Sequence, residues 1–192
     1  MSFREYYLGL LGLGAVFVLS SCATLPALVP GKDALSSDEH VKLGVSYEAQ
    51  GDLAHAGEQY QLALKRNKHN TQALLNLGQL AFNAGDYNHA EAYYRRALKL
   101  LPHDSTTSNN LAMVYIASGK HRDRIDALLN DALKQEGALR PYALETKAEW
   151  EQKQGHTVTA VELYRQAEMA VPSSNTVLRE AIAAERRKIE NQ

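Results

Sequence analysis

The sequence predicts an all-α fold, a superhelical solenoid of about four helix-turn-helix units with a capping helix at the C-terminus. The first observation is an internal repeat. The segment LGVSYEAQGDLAHAGEQYQLAL begins at Leu43, and LGQLAFNAGDYNHAEAYYRRAL begins at Leu77, 34 residues later. The second is the spacing of Ala56, Tyr60 and Ala63, which places these residues on one face of a helix. A glycine–aspartate pair divides each segment into two helices.

Glycine recurs at two positions of this repeat, and each position has a physical reason. Gly44 and Gly78 lie inside the first predicted helix of their units. Glycine costs about 1 kcal/mol relative to alanine in a helix, so its recurrence predicts a close approach by a neighbouring helix. The Gly-Asp pairs at residues 51–52 and 85–86 predict the end of one helix and the start of the next, because glycine adopts the left-handed conformation readily.

The pattern resembles the tetratricopeptide repeat (TPR), a helix-turn-helix module. The resemblance covers about residues 37–172 and implies four units followed by a capping helix. The predicted bounds are 37–70, 71–104, 105–140 and 141–172 for the units, and 173–192 for the cap. In the fourth unit the glycine position of the first helix is occupied by Ala148, with Trp150 nearby.

The third unit departs most from the pattern. The residue five positions after Gly119 is Arg124, where the other units have alanine. One inserted residue would bring Ile125, Leu129 and Ala132 to the core positions. We therefore expect a bulge or a shifted helix between residues 120 and 126.

Both ends of the repeat region carry capping features. Ser36 and Glu39 form the pattern of a capping box, with Ser36 as N-cap. Residues 175–190 are expected to form a final helix with an apolar side and a polar side, as a solenoid end requires. The residues predicted to cover the last repeat are Val177, Leu178, Ala181 and Ile182, and those predicted to face water are Glu185, Arg186, Arg187 and Lys188.

The N-terminal residues resemble a bacterial lipoprotein signal peptide. The uncharged run 8–19 would span about 18 Å as a helix, which is short for a bilayer core of about 30 Å. The following Leu19-Ser20-Ser21-Cys22 resembles the lipobox. That resemblance implies removal of residues 1–21 and acylation of Cys22 by chains such as palmitate. An ordinary signal peptide or short anchor with an inert cysteine is the alternative.

Several features bear on location and partner class. The proline-containing segment 22–36 is predicted to be an extended linker. Ala23 after the cysteine implies, by the same resemblance, sorting to the outer membrane and its periplasmic face. With 21 basic and 22 acidic residues, the chain lacks the charge expected of a nucleic-acid-binding protein.

No catalytic motif is found, so the sequence predicts a protein that is not an enzyme and has no cofactor, metal or small-molecule substrate. His55 and His89 occupy the same repeat position, as do His69 and His103. Equivalent positions lie about one repeat apart, too far to share a metal ion, and repetition of a surface residue explains them.

What remains is a surface for a protein or peptide partner. In the TPR family the first helix of each unit lines the concave face, which would give an apolar groove that becomes acidic in the fourth unit. The predicted groove residues are Val41, Val45, Leu75, Asn76, Gln79, Phe82, Asn83, Asn109, Asn110, Met113, Ile116, Tyr142 and Glu145. The alternative is that Val45, Phe82 and Ile116 fill the core between repeats. Only Asn76 matches the peptide-carboxylate clamp of some TPR domains, so a C-terminal carboxylate is not the expected ligand.

These observations lead to a membrane-anchored, non-catalytic interaction scaffold that assembles a secretion, pilus or envelope complex. A second hypothesis is an adaptor for envelope proteases or peptidoglycan enzymes. Two others are an enzyme with a site near residues 120–136 and a soluble TPR protein without the lipid anchor.

Overall fold

The computed structural model describes residues 33–191. The predicted signal peptide, Cys22 and most of the predicted linker lie outside the described residues. From Leu35 onward the chain forms a compact unit, and within the described residues it contains only helices. These are α1 (Ser37–Ala49), α2 (Leu53–Arg66), α3 (Thr71–Asn83), α4 (Tyr87–Leu100), α5 (Ser105–Ser118), α6 (Arg122–Leu133), α7 (Arg140–Lys153), α8 (Thr157–Ala170) and α9 (Thr176–Glu190).

The helices pack in chain order, which confirms the predicted all-α solenoid. Helices α1 and α2, α3 and α4, α5 and α6, and α7 and α8 pair with each other, and each pair contacts the next. In addition α3 contacts α5 and α5 contacts α7, so the first helices of these three units lie side by side. Among residues 33–191, none of the helices combines the length and the apolar character needed to cross a membrane.

Two glycine–tyrosine contacts hold the helix pairs of the first two units together, as the repeat predicts. A Cβ atom added at Gly78 would lie 2.5 Å from Cε1 of Tyr94. The equivalent Cβ at Gly44 would collide with the ring of Tyr60 in the same way. Both tyrosine side chains are fully buried, so each ring occupies the space that the missing side chain leaves.

The turns between the paired helices also agree with the prediction. Gly51 and Gly85 have φ angles of 79° and 75°, in the left-handed region that favours glycine. The side chains of Asp52 and Asp86 then cap α2 and α4 by accepting hydrogen bonds from the backbone amides of the histidines three residues later, each at 3.1 Å. One dipeptide therefore ends a helix and begins the next.

The third unit contains the predicted irregularity. Gly119 ends α5 with φ of 69°, and His121 precedes α6 with φ of 48°. After this turn Ile125, Leu129 and Ala132 are buried, which confirms the shift of one residue. The N-cap position of α6 has no side-chain hydrogen bond, unlike those of α2 and α4.

Trp150 secures the shifted helix to the fourth unit. Its Nε1 donates a hydrogen bond to Oδ1 of Asp126 at 3.0 Å. The guanidinium carbon of Arg122 lies 5.0 Å from the centroid of the indole ring, a distance suited to a cation–π contact. The indole is buried in the core cluster of the third unit, so the tryptophan joins α7 to that unit.

The N-terminal cap is the predicted capping box. The backbone amide of Ser36 donates to Oε2 of Glu39 at 2.8 Å, and the backbone amide of Glu39 donates to Oγ of Ser36 at 3.3 Å. Both bonds satisfy amide groups that a helix N-terminus would otherwise leave unpaired.

The C-terminal helix covers the last repeat with a different register from the predicted one. Ile182 and Ile189 are buried against the fourth unit and Leu178 packs on the same cluster, whereas Val177 is 79% exposed and Ala181 is also exposed. Residues 182 and 189 are two turns apart and form one stripe, while positions 177 and 181 point away from it.

Arg186 was also predicted to face water, and this is wrong. Its Nε lies 2.5 Å from Oε1 of Glu168 on α8, and its Nη1 lies 2.8 Å from the carboxylate of Glu190. Position 186 is one turn after Ile182 on the same side of α9. The guanidinium therefore borders the α8–α9 contact.

Candidate functional site

A groove of about 1110 Å³ lies along α5 and α7, the first helices of the third and fourth units. Tyr164 of α8 and Glu185 of α9 also line it. We call it the α5/α7 groove. Five of the predicted groove residues line it, namely Asn109, Asn110, Met113, Tyr142 and Glu145. Their joint placement follows from the side-by-side packing of the first helices.

Four predicted residues of the groove are built into packed clusters. Val41 and Ile116 are only 8% and 9% exposed, in the core of the first and third units. Leu75 and Phe82 are partly buried against the core cluster of the third unit. For Ile116 and Phe82 the alternative interpretation, that the side chains fill the core between repeats, describes their placement. Val41 and Leu75 were expected only in the groove, and they also pack in or against core clusters. The physical reason is that a solenoid needs apolar side chains on the first helices to join neighbouring units.

The remaining predicted residues lie on the surface of the first two units. Val45 is 48% exposed. On α3, Gln72 donates to Oδ1 of Asn76 at 2.8 Å, and Gln79 donates to Oδ1 of Asn83 at 2.9 Å. These amides pair with each other along the helix. None of Val45, Asn76, Gln79 and Asn83 lines the α5/α7 groove.

Asn109 gives the groove an unsatisfied polar group. Its side chain lines the groove and is only 9% exposed. Its Oδ1 has no hydrogen-bond partner within residues 33–191, and its Nδ2 lies 3.6 Å from the sulfur of Met113, a weak acceptor. An unpaired buried carbonyl oxygen is costly, so a donor that reached it would be bound favourably.

Carboxylates dominate the charge of the groove. Glu145, Glu149 and Glu185 all line it, and in the part of the chain that the structure describes Lys153 alone adds a positive charge to the lining. Lys153 Nζ lies 3.5 Å from Glu149 Oε1, and both side chains are half exposed. Three carboxylates and one ammonium leave the groove with a net charge of −2. The prediction that the concave face becomes acidic in the fourth unit therefore describes this region.

Two pKa shifts reflect the proximity of these carboxylates to one another. Burial, followed by the nearby Glu185 and Glu149 carboxylates, raises the pKa of Glu145. Burial, followed by the Glu149, Glu145 and Glu185 carboxylates, raises the pKa of Tyr164 to about 12. The three carboxylates of the groove thus lie close together, and the ammonium group of Lys153 compensates only part of their negative charge.

Glu145 and Tyr164 are the groove residues whose pKa values are raised. The sequence predicts a groove position for one of them only. Glu145 follows from repeat position. Tyr164 and Glu185 were not predicted as groove residues, because α8 and α9 reach the groove only through stacking in three dimensions. The periodic pattern of a helix does not show which neighbouring helix it meets.

Two of the repeated histidines, His55 and His89, lie at helix caps, whereas His103 Nδ1 lies 2.9 Å from Oδ2 of Asp131. His55 Nδ1 lies 2.6 Å from Oδ2 of Asp52, and His89 Nδ1 lies 2.6 Å from Oδ2 of Asp86. All four side chains are at least 40% exposed. Within residues 33–191, His, Cys, Asp and Glu side chains nowhere form a group of three that could hold a metal ion.

The charged segment 120–136 makes contacts that join neighbouring units. Lys120 Nζ donates to Oδ1 of Asn88 in the second unit at 2.8 Å. Arg122 donates to Oε1 of Gln154 in the fourth unit at 3.2 Å. These groups extend in opposite directions from the turn, whereas a catalytic site requires groups that converge.

Comparisons with known proteins agree with this architecture. A tetratricopeptide repeat family model matches residues 41–105. Similar solved structures include Pseudomonas aeruginosa PilF, with 22% identity, a TM-score of 0.61 and coverage of 82% of this chain and 72% of that one. PilW, described as a widely conserved type IV pilus biogenesis factor, has 19% identity, a TM-score of 0.67 and coverage of 80% and 75%.

A third similar structure is MamA, with 17% identity, a TM-score of 0.56 and coverage of 78% of this chain and 93% of that one. No curated protein sequence matches the chain. At these identities the structural likeness concerns the fold. The chain thus contains a tetratricopeptide repeat match over residues 41–105 and shares its helical solenoid fold with PilF, PilW and MamA.

Proposed function

We propose that this protein is a membrane-anchored, non-catalytic scaffold of the bacterial cell envelope that holds a partner protein in the α5/α7 groove. The observation that carries the proposal is the groove itself. It is large enough for several side chains of a partner, it lies on the first helices of two units, and it combines apolar walls with polar groups. Grooves of this composition suit the capture of a helix or an extended peptide.

The fold likeness to PilW and PilF supports one process in particular. Among secretion, pilus and envelope complexes, we propose type IV pilus assembly as the first to test. In this proposal the protein is anchored by acylated Cys22 at the periplasmic face of the outer membrane. The lipobox resemblance supports the anchor, because it implies acylation of Cys22. Two or three acyl chains give stable membrane attachment.

The groove is tested by a pair of matched double variants. Met113→Glu with Tyr142→Glu places charge on partly exposed positions of the groove. Val158→Glu with Met169→Glu makes the same chemical change at residues of α8 that are 86% and 71% exposed and do not line the groove. Proteins crosslinked in the native envelope are compared by quantitative mass spectrometry.

We expect the groove variant to lose at least one crosslinked protein that the α8 variant and the parent keep. Retention of every crosslinked protein by a correctly folded groove variant would contradict the proposed role of the groove. If a pilus protein is not among those lost, the choice of type IV pilus assembly fails while the scaffold role remains.

The anchor is tested separately with Cys22→Ser. The parent should incorporate labelled fatty acid and fractionate with the membrane, whereas the variant should accumulate as an unlabelled precursor. An unlabelled parent protein would refute lipid anchoring without affecting the groove.

A further inference from the structure

The uncompensated charge of the α5/α7 groove indicates which chemistry its partner carries. Glu145 and Glu149 are one helical turn apart on α7, so both carboxylates face the same side. Glu185 of α9 approaches them closely enough to affect the pKa of Glu145. The one ammonium group of the described lining, Lys153, lies nearest to Glu149 and is half exposed. The groove therefore has an acidic end with room for a cation.

Asn109 adds a second requirement, a hydrogen-bond donor, independently of the carboxylates. Its side chain is nine-tenths buried and lines the groove, and its Oδ1 lacks a hydrogen-bond partner in the described chain. A carbonyl oxygen only accepts hydrogen bonds, so a ligand that satisfies it must bring an N–H or O–H group. Lysine, arginine and a peptide backbone all provide N–H donors.

The walls of the groove add an apolar requirement. Met113 of α5, Leu139 before α7 and Tyr142 of α7 line it together with the polar groups. Leu139 and Tyr142 are 48% and 43% exposed, so both offer apolar surface to a ligand. An apolar side chain of a ligand that covered them would be removed from water favourably.

We propose that the α5/α7 groove binds a segment of the partner protein in which a lysine or arginine lies beside an apolar residue. The cationic side chain pairs with Glu145, Glu149 and Glu185. The Asn109 amide turns so that its Oδ1, which the protein itself covers, accepts a hydrogen bond from an N–H group of the segment. The apolar residue packs on Met113, Leu139 and Tyr142. This inference rests on the proposed function, because it specifies the partner for the same groove.

The probe is a random peptide library displayed on phage, selected against the full chain purified in detergent. Enriched peptides are then synthesised, and their affinities are measured by fluorescence anisotropy. The test variant is Glu145→Gln with Glu149→Gln. Its matched control is Glu58→Gln with Glu162→Gln, which removes two exposed carboxylates outside the groove and changes the net charge equally.

We expect the enriched peptides to contain lysine or arginine next to an apolar residue. Their affinity should fall by at least about tenfold in the groove variant and remain unchanged in the control, because charge-assisted hydrogen bonds are lost only in the former. Replacement of the basic residue of the peptide by glutamine should cause a similar loss. A peptide with glutamate at that position should instead bind Glu149→Lys better than it binds the parent.

Four outcomes would overturn the inference. The first is a set of peptides without basic residues whose binding is abolished by Met113→Glu but unaffected by Glu145→Gln with Glu149→Gln. This result would refute the charged partner and leave the groove function intact. Peptides that tolerate Met113→Glu, or a failure to enrich any peptide, would refute the groove function as well. Displacement of the peptides by spermidine at equal affinity, with no need for an apolar residue, would identify a site for small cations.

Discussion

At the scale of single residues, the fold depends on contacts between a missing side chain and a buried ring. The rings of Tyr60 and Tyr94 lie in the spaces that Gly44 and Gly78 leave on the preceding helix. Each ring is enclosed by core residues, so it cannot rotate away to admit another atom. Gly57 provides a contrast, since an added Cβ there would meet only Cδ1 of Leu80 at 3.7 Å.

Gly44→Ala and Gly78→Ala are therefore expected to destabilise the protein. Overpacking costs about 1–3 kcal/mol or more, which exceeds the gain of about 1 kcal/mol in helix propensity. Gly57→Ala should raise the free energy of unfolding by about 0.5–1 kcal/mol, because it gains propensity without a clash. Urea denaturation of the three variants measures whether the free energy of unfolding rises or falls in each. A stabilising Gly78→Ala would show that the Tyr94 contact is not as close as described.

At the scale of helices, the first two units begin their second helix with a charged cap. The pKa of Asp52 is lowered, mainly by the backbone amide of His55 and then by its side chain. The pKa of Asp86 is lowered by the same two groups of His89, with the side chain first. A lowered pKa in the folded state means that each carboxylate stabilises the fold above its unfolded pKa, near 4, and loses that effect as the pH falls through the folded value.

We predict that the double variant Asp52→Asn with Asp86→Asn has a free energy of unfolding that depends less on pH in the acidic range. Asparagine caps helices about as well as aspartate but does not titrate. Below about pH 4 the parent should lose stability relative to the double variant, as measured by urea unfolding at a series of pH values. Parallel curves for the two proteins would mean that the caps do not depend on charge.

How far the sequence predicts these elements depends on repetition. The turns at residues 51–52 and 85–86 were predictable because the same dipeptide recurs at the same repeat position. The shifted α6 was predictable because one inserted residue restores the apolar spacing. The register of α9 was not, since this helix has no counterpart in the other units and its exposed Val177 is as apolar as its buried residues.

The candidate site was predictable only in part, for a related reason. Repeat position identifies which residues lie on the first helix of each unit, such as Asn109 and Glu145. It leaves open whether Ile116 lies in the groove or in the core, and it does not show that Val41 joins the core, because the same face of the helix serves both packing and binding. The contributions of Tyr164 and Glu185 arise from the stacking of α8 and α9, which local periodicity does not encode.

At the scale of the whole molecule, α9 covers the end of the solenoid. In a repeat protein each unit contacts only its neighbours, so the last unit would expose its apolar side without a cap. Ile182 is fully buried in the cluster that includes Tyr164 of α8. The Arg186–Glu168 contact borders the same surface. The cap also places Glu185 in the groove, which links the stability of this end to the site.

Ile182→Ala is expected to destabilise the protein by about 2–5 kcal/mol through loss of buried surface and the cavity left behind. Val177→Ala on the same helix should change stability by less than about 0.5 kcal/mol, because Val177 is largely exposed. Thermal unfolding followed by circular dichroism distinguishes the two. Equal effects would contradict the register of α9 described above.

If the α5/α7 groove binds the partner, a residue in the groove must contact that partner in the cell. The most direct test is site-specific photocrosslinking in living cells, with a photoreactive amino acid at position 142 in the groove or at position 158 outside it. We predict a discrete crosslinked product at position 142 that is absent at position 158 and disappears in Glu145→Gln with Glu149→Gln. Identical products at the two positions, or none at position 142, would contradict it.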